Sequence, residues 1–184
     1  MDMYERSVRG RQSRAQGKNF EDMIEDAAWY YENQGIAAID KTPEAFKVIK
    51  PADRSKGQFL CCFTKQAQPD FKGALMDATM ILFDAKHTDK ERISRDVITA
   101  EQEDCFERYG KMGAFCFLVV SLNFTDFYRI PWVVFRDMKK LFGHKYMNKA
   151  ELNPYRIAYS KGVLRFLDGI ELRESEEEHE SNEV

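Results

Sequence analysis

Apolar residues recur at three- and four-residue steps from Asn19 to about Gln34: Phe20, Met23, Ile24, Ala27, Ala28 and Tyr31. That period places them on one helix face, and Gly35 is a natural stop. The pattern then shortens. Ile36 to Asp40 predicts a strand ended by Thr42-Pro43, and Phe46 to Ile49 alternates as a strand does. Pro51 to Gly57 is a polar loop before the apolar run Phe59 to Thr64. Asp70 to Gly73 predicts a turn leading into a strand from Met76 to Ala85. Lys86 to about Ile98 is densely charged and reads as a loop or mobile segment. Thr99 to Met112 predicts a helix, with Thr99 as N-cap and Gln102 at N3 of a capping box.

Ala114 to Leu122 is the clearest buried strand, followed by a shorter one from Phe127 to Ile130, ended by Pro131. Trp132 to Phe142 predicts a helix, and Asn148 with Glu151 can cap a short turn. Tyr155 to Tyr159 and Val163 to Leu167 predict a hairpin across Ser160-Lys161-Gly162. No internal repeat is visible. Helix, strands, helix, buried strand and strand in this order predict an α/β fold, a mixed central β-sheet flanked by helices.

Composition bounds this picture. The 184 residues suit one domain, with 43% hydrophobic residues, fourteen Phe and eight Tyr. No apolar run is long enough for a membrane span, and Met1 to Arg6 carries no apolar secretory segment. Cys61, Cys62, Cys105 and Cys116 lack zinc-ligand spacing, so reduced, mostly buried thiols in a cytoplasmic protein are expected. The net charge of -3 conceals an asymmetry. Arg6, Arg9, Arg11, Arg14 and Lys18 form a run without acids, while glutamates crowd the chain from Glu171 to Glu183. Without that tail the body is positive. Residues 1–16 are expected to be a flexible basic arm and 174–184 a disordered acidic tail, around a folded domain at 17–173. The arm reads either as a solvated terminus or as a phosphate contact.

The candidate chemistry lies at Pro69-Asp70 and, after thirteen intervening residues, Asp84-Ala85-Lys86. Asp84 and Lys86 share a strand face, and a turn can bring Asp70 to the same place. Two carboxylates beside an ammonium suit Mg²⁺, which takes one or two carboxylates and keeps waters and phosphate as its other ligands. They equally describe a hairpin carrying a surface Asp and Lys. Glu21 and Glu25 on the first helix either reach this site or face solvent. Gln102 either contacts phosphate or only caps its helix. His87, one residue past Lys86, points to the opposite face, and His144 and His179 have no partners at metal-ligand spacing. No nucleophile triad, P-loop or dinucleotide fingerprint is present.

The acid and lysine pattern resembles the PD-(D/E)xK nuclease superfamily. A longer series resembles the RecU-type Holliday junction resolvases of Gram-positive bacteria and their phages. Its carriers run from Gly17 to Pro131: Gly17 to Ile24 with Tyr30-Tyr31, Gly35 to Pro43, Gln68 to Gly73, Leu82 to Thr88, Glu101-Gln102, and Gly113 to Phe117. The resemblance implies a restriction-endonuclease-like fold with a protruding stalk at about 51–65. It implies a Mg²⁺-dependent endonuclease, with Mn²⁺ substituting, that acts as a homodimer on four-way DNA junctions in recombination and repair. Asp70 and Asp84 would bind metal, Lys86 would be catalytic, and Glu21 and Gln102 would assist. Arg6, Arg9, Arg11, Arg14, Lys18, Arg54, Lys56 and Lys65 are the expected DNA contacts. Asp84 stands where family members commonly have Glu, Pro69 where they have a hydroxylated residue, and the acidic tail is an addition. These departures fit a divergent, phage-encoded member. A branched-DNA binding protein without catalysis and a nuclease of linear duplex are the competing readings.

Overall fold

In the computed structural model, residues 3–43, 45–63 and 68–170 are described, with side chains from residue 12 onward. In chain order the elements are α1 (Met3–Asn33), β1 (Ala37–Lys41), β2 (Phe46–Asp53), β3 (Gln58–Phe63), β4 (Phe71–Leu75), β5 (Met80–Thr88) and β6 (Arg92–Ser94). A 3-10 turn at Arg95–Val97 leads into α2 (Ala100–Lys111), β7 (Phe115–Leu122), β8 (Asp126–Pro131), α3 (Trp132–Arg136) and α4 (Met138–Phe142). The chain continues with β9 (Tyr146–Asn148), α5 (Lys149–Leu152), a 3-10 turn at Asn153–Tyr155, β10 (Arg156–Ile157), β11 (Tyr159–Ser160) and β12 (Val163–Leu164).

Six strands form a mixed sheet in the order β1-β4-β5-β7-β8-β10. The β5–β7 pair is parallel and its neighbours are antiparallel. α2 makes the crossover between the two parallel strands, as such a connection requires. Alternation along the central strands divides the core. Phe83, Phe117 and Val119 face α1 and pack with Phe20, Ile24, Ala27 and Tyr31. Leu82, Leu118 and Val120 face α2 and pack with Phe106, Trp132 and Phe135. Phe71, Phe83 and Phe117 lie opposite one another on β4, β5 and β7 and stack at 5.0 and 4.8 Å between centroids. Aromatic pairs of this kind add about 0.5–1.5 kcal/mol each beyond their burial.

Several expected boundaries move. The expected flexible arm is helical from Met3 and continuous with the amphipathic stretch, so the helix is 31 residues long. Arg, Gln, Ala and Lys all favour helix, and no proline interrupts them. Gly35 closes α1 with φ of +66°: its N–H bonds Glu32 O and the Ile36 N–H bonds Tyr31 O, both at 2.9 Å. Phe71 to Leu75, expected only as a turn and its exit, is strand β4. The expected charged loop after Lys86 is partly strand, and Ile93 on β6 is buried. Trp132 to Phe142 breaks into two short helices at Asp137. The expected hairpin near the end is three short strands, of which β10 joins the main sheet. β2 and β3 pair only with each other, and every residue of the two strands but Asp53 is exposed, so Cys61 and Cys62 are not buried as expected, while Cys105 and Cys116 are. This ribbon begins at Phe46, ahead of the expected stalk boundary. The acidic tail lies outside the described residues.

Candidate active site

The site forms where β4 begins and β5 passes the N-terminus of α2. Phe71 pairs with Phe83, which puts Asp70 and Asp84 side by side on the face opposite the phenylalanine stack. The Asp70 N–H donates to Asp84 Oδ1 at 3.2 Å, and the Ala85 N–H donates to Asp70 Oδ2 at 3.0 Å. Each carboxylate is therefore held by an amide of the neighbouring strand. Asp84 is fully buried. Its Oδ1 also accepts a hydrogen bond from Gln102 Nε2 at 2.7 Å. Its Oδ2 faces the Lys86 ammonium as an ion pair without hydrogen-bond alignment, and meets no other donor among the described residues.

Burial dominates the electrostatics. Burial pushes the Asp84 carboxyl up, the ammonium of Lys86 pulls it down, the negative Asp70 adds to the rise, and the net result is about 7. Burial alone would lower the Lys86 pKa, but Asp84, Asp70 and Glu21 together raise it above the usual lysine value.

Gln102 performs two tasks at once. Its Oε1 accepts from the Thr99 N–H at 3.1 Å while the Thr99 hydroxyl accepts from the Gln102 N–H, completing the capping box. The opposite end of the same amide reaches Asp84. Glu21 joins less directly. It lies on the α1 side of the sheet and pairs with Lys41 at 3.0 Å, not with Asp70, Asp84 or Lys86. Lys41 also bonds Glu25 at 2.5 Å. Lys41 was missed as a polar participant because this contact joins strand to helix across 16 residues and leaves no periodic trace. Its strand position facing α1 was the available signal.

His87 is on the opposite face from Asp84. Its ring bonds Ser121 Oγ and Asp89 Oδ1, both at 3.1 Å, and stacks on Phe124. His144 bonds the Tyr146 carbonyl and pairs with Glu151. Arg14 and Lys18 are exposed on α1. Arg54 and Lys56 are exposed at the turn of the β2–β3 ribbon, where Lys56 pairs with Asp53 at 3.7 Å. None of these four contacts the acid and lysine group. The side chains of Arg6, Arg9 and Arg11, all of Lys65, and His179 lie outside the described residues.

Among the described residues, no cluster of three or more His, Cys, Asp or Glu is arranged to hold a metal. The Asp70–Asp84 pair still suits a hard cation that keeps waters and phosphate in its shell. Two apposed carboxylates, with a buried Asp84 oxygen that meets only the Lys86 ammonium among the described residues, are the observation behind that fit.

A mixed sheet carrying two apposed acids beside a lysine can hold a hard cation next to a phosphate. The family model of Recombination protein U matches residues 15–172, most of the chain, and the chain belongs to that family. The resemblance to RecU-type Holliday junction resolvases drawn from the motifs therefore holds. The solved structure of Hjc, a Holliday junction resolvase from Archaeoglobus fulgidus, has a similar fold, with a TM-score of 0.50 and 11% identity. The similarity covers 76% of this chain and 93% of that one. The mixed sheet with helices on both faces is thus similar in fold to that of Hjc. No curated protein matches the chain. No helix is long and apolar enough to cross a membrane among the described residues.

Proposed function

We propose that this protein is a divalent-metal endonuclease that resolves four-way DNA junctions as a homodimer, one site on each of two strands. The observation that carries the reading is the pair Asp70 and Asp84, clasped by each other's strands beside Lys86. Asp70 and Asp84 would hold Mg²⁺, with Mn²⁺ as a substitute. Bound there, the ion would supply Lewis-acid stabilisation of the phosphoryl oxygens and lower the pKa of a water.

The chain's own residues do the rest. Asp84 is held at fixed orientation by two donors on one oxygen, the Asp70 amide and Gln102. Lys86 carries only donors, so its ammonium orients the attacking water or offsets charge building on the phosphate. Gln102 ties the first turn of α2 to Asp84 and fixes the carboxylate against rotation. Glu21 adds a negative field at the edge of the site and supports the charged form of Lys86. The exposed arginines and lysines of α1 and the ribbon would take phosphates of the junction arms.

The test is a gel assay on a mobile four-way junction and a matched linear duplex, with and without Mg²⁺. The proposal expects paired symmetric nicks in the junction only with metal. Cutting of linear duplex at equal rate would sink the resolvase reading. Binding without cutting in any divalent metal would favour a branched-DNA binding protein.

A further inference from the structure

We infer that a basic cleft beside the first turn of α2 is a second phosphate-binding site, one that grips the DNA backbone next to the scissile position. This rests on the nuclease reading above and adds a substrate-binding surface to it. The cleft has a volume of about 550 Å³ and is lined by residues from three segments: Arg95, Asp96 and Ile98, Glu103 of α2, and Arg136, Lys139 and Lys145.

Its walls are built. The Arg95 N–H bonds the Lys145 carbonyl at 3.0 Å, and β6 pairs with β9, so the turn after β6 is tied to the loop after α4. The Arg95 guanidinium lies over the rings of Trp132 and Phe135 at 5.0 and 5.7 Å and pairs with Glu103 at 2.7 Å. Arg136 is held by Glu107 and Asp137 at 3.0 and 2.9 Å. Both arginines are thus fixed and their charges are largely offset.

Lys139 and Lys145 differ. Both are exposed, and neither side chain has a hydrogen bond or ion pair among the described residues. Asp96 is the one further acid in the lining, so two ammonium groups without an ion pair outnumber it at the rim of a preformed cleft and favour an anion there. A free amine bonds phosphate oxygens without first breaking an internal pair.

Position identifies the anion. Ile98 and Glu103 flank Thr99 to Gln102, and Gln102 donates to Asp84. The cleft therefore borders the same turn of α2 that reaches Asp84. A duplex presenting one phosphate to Asp70, Asp84 and Lys86 carries a row of further phosphates past this turn. The cleft is open and charged, with mixed polar and apolar walls, which suits a backbone that is gripped without base readout.

The experiment compares wild type with Lys139→Ala, Lys145→Ala and the double variant, measuring affinity for a four-way junction and for linear duplex across a salt series. Both lysines are exposed, so circular dichroism and melting should be unchanged. Each lost phosphate contact should lower the slope of log affinity against log salt by about 0.9, and the double variant by about 1.8, on both DNAs. The single-turnover cutting rate at saturating protein should stay at the wild-type value, since neither lysine touches the reacting phosphate. Wild-type slopes and affinities in the folded double variant would overturn the inference. So would a slope change matched by an equal loss of saturated rate, which would make these residues part of the chemistry. If wild type binds DNA but never cuts or prefers junctions, the nuclease reading fails while the slope change still supports the cleft. If wild type shows no DNA affinity, both fall.

Discussion

Asp70 and Asp84 are clasped to one another's strands: the Asp70 N–H bonds the Asp84 carboxylate, and the Ala85 N–H bonds the Asp70 carboxylate. Neither acid can rotate without breaking a bond to the other strand. The strand register that creates this clasp is set by apolar packing. Phe71 stacks on Phe83, and the two acids are their chain neighbours on the opposite face. Core packing thus sets the spacing of the two carboxylates.

Asp70→Asn and Asp84→Asn should each abolish cutting while junction binding persists. Each change removes a negative charge and little volume. A metal site so weakened should cost several kcal/mol of barrier, on the order of a thousandfold in rate. Lys86→Ala should slow the saturated rate with little change in the metal concentration required. Cutting above about a tenth of wild type in either Asn variant, read under single-turnover conditions, contradicts the assignment of the pair.

The pH dependence of stability carries an independent test. Burial, with Lys86 pulling down and Asp70 pushing up, leaves the Asp84 carboxyl raised from 3.8 to about 7 in the folded protein. Between those values the folded chain keeps a proton that the unfolded chain has lost. Metal-free stability should therefore fall as pH rises through this window, by up to about 1.4 kcal/mol per pH unit from this one group. Below pH 4 the group should contribute no slope, and above 7 the loss is complete. In Asp84→Asn this component should vanish. Urea titrations in a chelator at several pH values, subtracting variant from wild type, would read it; identical slopes in the two proteins would refute it.

Two substitutions probe how the scaffold holds the site. A Cβ at Gly73 would stand 2.1 Å from the Ala38 carbonyl oxygen and 2.9 Å from the Ile39 Cα, both backbone. Gly73→Ala must therefore push β1 from β4 and should cost roughly 1–3 kcal/mol. Gln102→Ala removes one half of the capping box and a donor to buried Asp84, a loss of about 2 kcal/mol. It should also raise the Mg²⁺ concentration needed for half-maximal cutting, which loss of a cap alone would not do. Thermal melts and a metal titration check both; an unchanged melting temperature in either variant goes against this account.

Much of this site was legible because its grammar is local. Asp84 and Lys86 are two residues apart on a strand, and Thr99 and Gln102 are three apart at a helix start. The strand clasp was hidden because it joins residues 14 and 15 positions apart. β4 escaped notice because Lys72, Gly73 and Ala74 have weak strand preference, and pairing on both sides overrides it. The first half of α1 escaped because apolar periodicity reports burial, and the described residues from 12 to 15 are exposed. A solvent-facing helix has no apolar period to detect.

The β2–β3 ribbon is the expected discriminator between junction and duplex. Phe46, Val48, Ile49, Phe59, Leu60 and Phe63 are all about half exposed or more, yet none belongs to either core cluster. An isolated two-stranded ribbon is marginal in water, and among the described residues these apolar groups add to neither core. They suit surfaces that a junction centre offers and a linear duplex does not: unstacked base faces, on which aromatic side chains stack for about 1–3 kcal/mol per base. Arg54 and Lys56 at the turn would add phosphate contacts. Replacing Phe46 to Phe63 with a short Gly/Ser linker should leave the melting temperature near wild type, because both core clusters remain intact. It should remove the preference for four-way junctions and leave residual metal-dependent cutting of flexible or nicked DNA, since Asp70, Asp84 and Lys86 lie outside the replaced segment. Competition binding of junction against duplex, with circular dichroism on the same sample, measures both expectations. A folded variant that still selects the junction as strongly as wild type would remove the ribbon from junction recognition and leave that selectivity to the sheet face and α1.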